Sequence, residues 1–151
     1  MTEIRAFRDA DAPAIAALWE TVFGYPEARN APGLVLADKL AFQRDFLFVA
    51  AAEDRIVGTA MGGYDGHRGW LYRLAVAPDR RRRGIGEALT RAVIAALREA
   101  GCRKLNLQIA ADAQGRDEKG LVAFYERQGF AVEPRISMGL SLFPGTGVTR
   151  M

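Results

Sequence analysis

The chain of 151 residues holds one cysteine, Cys102, and one histidine, His67. A lone cysteine closes no intramolecular disulfide, and with a single histidine beside it no Cys-rich zinc site assembles. Long apolar runs are also missing. The stretch from Phe46 to Ala52 falls far short of the roughly 18 to 20 residues a membrane span needs, and Met1 to Arg8 lacks a signal-peptide apolar core. Neither sign of charge dominates: 21 Lys+Arg face 18 Asp+Glu, a formal net charge of +3, and the basic excess is concentrated in Arg80 to Arg83. Repeats, low-complexity stretches and linkers are lacking too. These absences argue against a disulfide-stapled secreted protein, a membrane-spanning protein and a general polycation. They point to one cytoplasmic domain over residues 1–151, 50% hydrophobic, which buries about two thirds of its unfolded surface without staples.

What is present is periodicity. Ile4 and Ala6 alternate as a short opening strand. Asp11-Ala12-Pro13 opens a helix, and Ile15, Leu18, Trp19 and Val22 follow at helical spacing. Tyr25 to Gly33, with two prolines, reads as loop, and Leu34 to Arg44 as a second helix. Phe46 to Ala51, Ile56 to Tyr64 and Trp70 to Val76 read as three antiparallel strands, joined by the polar turn Glu53-Asp54-Arg55 and the glycine-bearing turn Asp65 to Gly69. Ile85, Leu89, Val93 and Leu97 recur every fourth residue, and Gly101 stands where a helix ends. Leu105 to Ile109 alternates as a strand. Leu121, Phe124 and Tyr125 mark a last helix closed by Gly129, and Phe130 to Val132 and Ile136 to Leu142 are expected as final strands. The order predicts an α/β (α+β) fold: a mixed, mostly antiparallel twisted sheet with a central parallel crossover pair and helices on both faces. A ligand is expected outside the carboxyl end of the strand Trp70 to Val76.

At that place the chain reads Arg80-Arg81-Arg82-Arg83-Gly84-Ile85-Gly86-Glu87-Ala88-Leu89. Glycines let a ligand approach the backbone, unpaired N–H groups leave the first helical turn, and the helix dipole adds on the order of 0.3 to 1 kcal/mol in favour of negative charge. A diphosphate suits such a cradle; the plainer readings are a solvated cationic turn or a nucleic-acid patch. A P-loop needs Lys-Ser/Thr after its second glycine, where Glu87 stands. A dinucleotide fingerprint needs a third glycine at Leu89 and begins directly after its strand, without four intervening arginines.

Arg81-Arg82-Arg83-Gly84-Ile85-Gly86 does match Arg/Gln-x-x-Gly-x-Gly/Ala, the diphosphate loop of the GNAT superfamily of N-acetyltransferases. The whole chain resembles that family. Leu74-Ala75-Val76-Ala77-Pro78 is similar to its fourth strand, and Phe124-Tyr125-Glu126-Arg127-Gln128-Gly129-Phe130 to its C-terminal tyrosine element. Val57 to Gly69 is further similar to a small bacterial YpeA-type subgroup. The resemblance implies acetyl-CoA as cosubstrate and an amine as acceptor. It implies a diphosphate on the amides of Arg82, Arg83, Gly84, Ile85, Gly86 and Glu87 beside Arg81, and a pantetheine arm alongside Leu74, Ala75 and Val76. Leu74 and Val76 would offer main-chain hydrogen bonds. The Val76 amide, at a family bulge, would stabilise the developing oxyanion by roughly 3 kcal/mol. Tyr125 would be the acid, or the hydrogen-bond donor, for the departing thiolate.

The family often places an acid where this chain has Gln108, which accepts no proton at neutral pH, and an asparagine where it has Glu118. A free lysine has a pKa of about 10.4, so some group must take the acceptor's proton. Asp65, Tyr72, Asp112, Glu118 or water are the candidates. Plainer readings stand beside several residues. Tyr125 packs equally well as a core tyrosine, His67 belongs in a turn, Cys102 is a small buried apolar side chain, and Trp19 is core. Trp70 and Tyr72 share a strand face that either packs or lines a cleft. Two other functions compete: a nonenzymatic acyl-CoA-binding sensor, motivated by Gln108 and Glu118, and a nucleic-acid-binding module using Arg80 to Arg83. No metal or membrane partner is expected, nucleic acid is disfavoured, and the sequence leaves a homodimer open.

Overall fold

Branched and alternating runs pair here in the order in which they occur. The computed structural model describes residues 1–24 and 28–143. One sheet contains β1 Thr2–Ala6, β2 Leu47–Ala52, β3 Arg55–Tyr64, β4 Gly69–Val76 and β5 Leu105–Leu107, in that spatial order. The first three pairings are antiparallel and β4/β5 is parallel. The helices are α1 Ala12–Phe23, α2 Pro32–Phe42, α3 Ile85–Glu99 and α4 Leu121–Glu126. The second helix begins two residues before the expected Leu34, because proline in a first turn has no needed N–H to lose. Of the expected loop Tyr25 to Gly33, residues 25–27 lie outside the described residues, and Ala28–Asn30 form a 3-10 turn.

The chain divides into two compact units, Met1–Leu107 and Gln108–Met151. In the first, alternation along β3 separates two layers. Trp19 Nε1 of α1 donates to Thr59 Oγ1 on one face (2.8 Å). On the other, a Cβ added at Gly58 would come within 2.9 Å of Leu89 Cδ1, and one at Gly62 within 2.8 Å of Val93 Cγ1, both on α3. Two glycines therefore let α3 lie directly on the strand, while α1 covers the opposite face. Ile85, Leu89, Val93 and Leu97 are buried, as their fourfold recurrence predicts. The helix ends in a Schellman motif: Gly101 N–H donates to the Arg98 carbonyl (3.0 Å) and Cys102 N–H to that of Leu97 (2.9 Å). Cys102 is half-buried, and its thiol donates to the Lys104 carbonyl at 3.3 Å.

In the second unit, Asp117 caps α4, its carboxylate accepting from the amides of Leu121 (2.9 Å) and Val122 (2.7 Å). Here the sequence reading needs correction. Phe130 to Val132 and Ile136 to Leu142 form no strand, and β5 stops at Leu107 rather than Ile109. Alternation supplies an apolar face but not a partner edge: Ile136 and Met138 each keep 92% of their surface exposed. Among the described residues the parallel crossover pair consequently closes the sheet at one edge instead of lying at its centre.

Candidate active site

Site geometry starts from a single register shift. Thr59 pairs with Ala75 and Met61 with Tyr72, so Arg73 and Leu74 together face only Ala60. Arg73 takes a φ of 53°, in the left-handed region, which a non-glycine side chain occupies where its surroundings fix it. The fixing is visible. Thr59 Oγ1 donates to the Arg73 carbonyl (2.9 Å) and accepts from Trp19 Nε1 (2.8 Å), and Thr59 and Trp19 are both 0% exposed. This corrects one expectation: the bulge lies at Arg73–Leu74, whereas Val76 is in register with Gly58. Trp19, expected as core, is core that also holds this relay. Nothing in the sequence marks Thr59 for it beyond being polar in an apolar strand.

Beyond the bulge, Ala77 N–H donates to the Val57 carbonyl at 2.8 Å. In an antiparallel ladder alternate residues turn to the same neighbour, so Ala75 and Ala77 face β3 while Leu74 and Val76 turn their peptide groups to the other edge. β5 pairs only with Gly69, Trp70 and Leu71. Among the described residues no strand lies beside that edge of β4 past Leu71, and the Val76 carbonyl accepts from Arg81 Nε (3.1 Å). Leu74 and Val76 thus have the open orientation expected of them. Ala75 does not: its backbone is engaged with Thr59 and its side chain is 2% exposed, so it has no free group to offer a ligand.

β4 runs into a 3-10 turn, Pro78–Arg80. Arg80 bonds Glu53 (2.7 Å), and Asp79 takes a bidentate pair from Arg55 (both 2.9 Å), which holds its carboxyl down at about 2. Arg80 is thereby tied to the β2–β3 turn, and among the described residues the unpaired cations of the run are the exposed Arg82 and Arg83. Arg82 (φ 65°) and Gly84 (φ 79°) are both left-handed, curling the backbone around Arg83. Among the described residues no side chain caps α3. The first-turn amides, Ile85, Gly86 and Glu87, therefore have no intrahelical acceptor, and a Cβ at Gly84 would meet nothing within 4 Å. Glu87 itself pairs with Arg91 (2.6 Å).

In the second unit Tyr125 is buried between Phe124 and Phe130, with ring centroids at 4.9 and 5.5 Å. Burial pushes its phenol up to about 12, so it keeps its proton at neutral pH. The expected bases fare less well. Asp65 accepts from the amides of His67 and Arg68 (2.8 Å each), and the Arg68 bond above all holds its carboxyl low. It shapes the β3–β4 turn at the far end of β4 from Val76. His67 joins that turn through its backbone. Asp112 is similarly taken by Arg116 and the Gln114 amide, and is lowered chiefly by the Arg116 backbone bond. Tyr72, 46% exposed, is raised mainly by burial, which makes it a poor proton acceptor. Glu118 is exposed. Gln108 donates to Ser137 Oγ.

Comparison with known proteins decides the family. The model of the acetyltransferase (GNAT) family matches residues 12–130. The chain belongs to the GNAT acetyltransferases. An acetyltransferase of Pectobacterium atrosepticum is 36% identical over 140 residues, covering 93% of this chain and 95% of that one. Ard1 of Thermoplasma volcanium superposes with a TM-score of 0.74 at 22% identity, over 87% of this chain and 84% of that one. The PaiA N-acetyltransferase of Thermoplasma acidophilum, solved with coenzyme A, gives 0.72 at 18% identity, over 90% and 93%. These two likenesses show the fold. As a GNAT enzyme the chain transfers an acetyl group from acetyl-CoA to an amine acceptor.

Proposed function

We propose that this GNAT domain, functioning as one unit over residues 1–151 in the cytoplasm, binds acetyl-CoA along the open edge of β4 and over the start of α3. The observation that carries the reading is the succession of three backbone features: the outward peptide groups of Leu74 and Val76, the left-handed turn at Arg82 and Gly84, and the uncapped amides of Ile85, Gly86 and Glu87. A diphosphate fits that donor set, since amides and helix dipole both favour an anion and no Cβ fills the space over Gly84. Arg82 and Arg83 add charge. Arg81 would exchange its bond to the Val76 carbonyl for the ligand. Acetyl-CoA supplies a thioester whose carbonyl carbon the amine attacks directly.

The bulge moves the oxyanion role from Val76 to its neighbour two residues earlier. The Leu74 amide, freed from the ladder at Arg73–Leu74, donates to the thioester oxygen as it becomes negative, a fixed dipole worth roughly 3 kcal/mol. Tyr125, protonated at neutral pH, donates to the leaving sulfur. Since Asp65 and Asp112 are committed to turns and Tyr72 is a poor acceptor, proton removal from the amine falls to Glu118 or to water. Membership in the YpeA-type subgroup is read from the likeness of Val57 to Gly69 alone. Thiol release from acetyl-CoA across an amine panel tests the proposal: turnover is expected, and thermal stabilisation by coenzyme A without turnover on any amine would overturn it.

A further inference from the structure

Arg73 does more than bend β4. Its guanidinium lies on the face of the sheet covered by α1, 5.3 Å from the Trp19 ring and 5.2 Å from that of Phe23. Of its five N–H donors, one makes a hydrogen bond among the described residues, to the Asn30 carbonyl at 3.3 Å. The residue is half-buried, burial pulls the guanidinium below its ordinary range, and among the described residues no carboxylate pairs with it. The two other half-buried arginines among the described residues, Arg5 and Arg80, each hold an acid, Asp11 and Glu53 respectively. A cation desolvated between two aromatic faces and left with a free planar fork is a receptor for a planar anion.

Its position says which anion. The bulge sets Arg73 between Tyr72 and Leu74, with its guanidinium against Trp19 and Phe23 of α1. Phe23 (39% exposed) and Tyr72 (46% exposed) leave apolar and hydroxyl surface open beside it. We propose that Arg73 binds a carboxylate on the acceptor, so that the amine acetylated by this enzyme belongs to a molecule that also carries a carboxyl group, held within one side-chain length of the Leu74 amide. The proposal rests on the acetyl-CoA reading above.

The test compares amine pairs that differ only by the carboxyl group: alanine against ethylamine, phenylalanine against phenethylamine, lysine against 1,5-diaminopentane. The wild-type enzyme is expected to favour the carboxylated member of at least one pair by about 30-fold or more in kcat/KM. Arg73→Met should bring that ratio close to one while still being stabilised by coenzyme A, and Arg73→Lys should recover part of it. If the methionine variant fails to fold, the lysine variant carries the same readout. Equal kcat/KM for both members of every pair, or a preference that survives Arg73→Met, overturns the assignment and leaves the acetyltransferase reading intact. Should no amine turn over, thermal shifts with the amino acids alone decide: a rise lost in the Arg73 variants supports the carboxylate site, and no rise overturns it.

Discussion

Lys39 offers a quantitative test of the packing beneath α2. It is 9% exposed, its Nζ donates to the Gly62 carbonyl, and the Phe46 ring centroid lies 5.8 Å away. Burial brings its amine down to about 8 from 10.5. The folded state thus gives up this proton more readily than the unfolded chain does. Below pH 8 both states are protonated and the charge is held at a penalty; as pH rises from 8 towards 10.5 the unfolded chain keeps a proton that the folded one has released, and stability increases. Between pH 7 and pH 10 the gain amounts to about 2.5 kcal/mol. Lys39→Met keeps the length of the side chain and removes the titration. It also leaves the Gly62 carbonyl without this donor, a loss of about 1 to 3 kcal/mol, so the two proteins should have comparable stability at neutral pH and diverge above pH 8, with the wild type gaining. Urea unfolding followed by circular dichroism at unit pH steps from 7 to 10 measures the difference directly, because groups common to both proteins cancel. A wild-type-minus-variant difference constant to within about 0.5 kcal/mol would refute the assignment of a desolvated amine.

Thr59→Val keeps shape but deletes the donor to Arg73 and the acceptor for Trp19; it should destabilise by about 1 to 3 kcal/mol and lower kcat more than it weakens coenzyme A binding, measured by steady-state kinetics and calorimetric titration. Tyr125→Phe should reduce turnover more than cofactor affinity, and identical kcat values would remove the hydroxyl from the reaction. The same variant bears on alkaline stability: a phenol raised to about 12 keeps its proton in the fold while the unfolded chain loses it from pH 10, so wild-type stability should fall through pH 10 to 12 and the phenylalanine variant should lack that component. Gly84→Val meets no steric neighbour, but strains a φ of 79° and fills the ligand's approach; coenzyme A affinity should collapse while a folded circular dichroism spectrum remains, and unchanged affinity would count against the cradle.

Periodicity made α3 legible from Ile85 to its glycine end, and the arginine–glycine entry marked the turn proposed as the anion cradle, because both signals are local. The bulge was not legible. It depends on a hydroxyl fourteen residues away and an indole forty residues beyond that hydroxyl, pairings that only the folded sheet creates. The burial of Lys39 was hidden for a similar reason, since a lysine between Leu36 and Leu40 reads as a solvated residue of a helix. Asp65 misled in the opposite direction. A carboxylate in Asp-Gly-His-Arg-Gly reads equally as a base or as a turn former, and its two backbone acceptances settle it as a turn former. Ile136 to Leu142 carries good strand alternation, but alternation describes a face and not the edge that must pair with it.

Backbone amides on β4 and at the start of α3 are proposed to receive coenzyme A. Amide NMR spectra recorded while coenzyme A is titrated into the full chain test that proposal most directly. The account predicts saturable shifts concentrated at Leu74, Val76 and Arg82 to Glu87. Shifts confined to other segments, or none at saturating ligand, would contradict it.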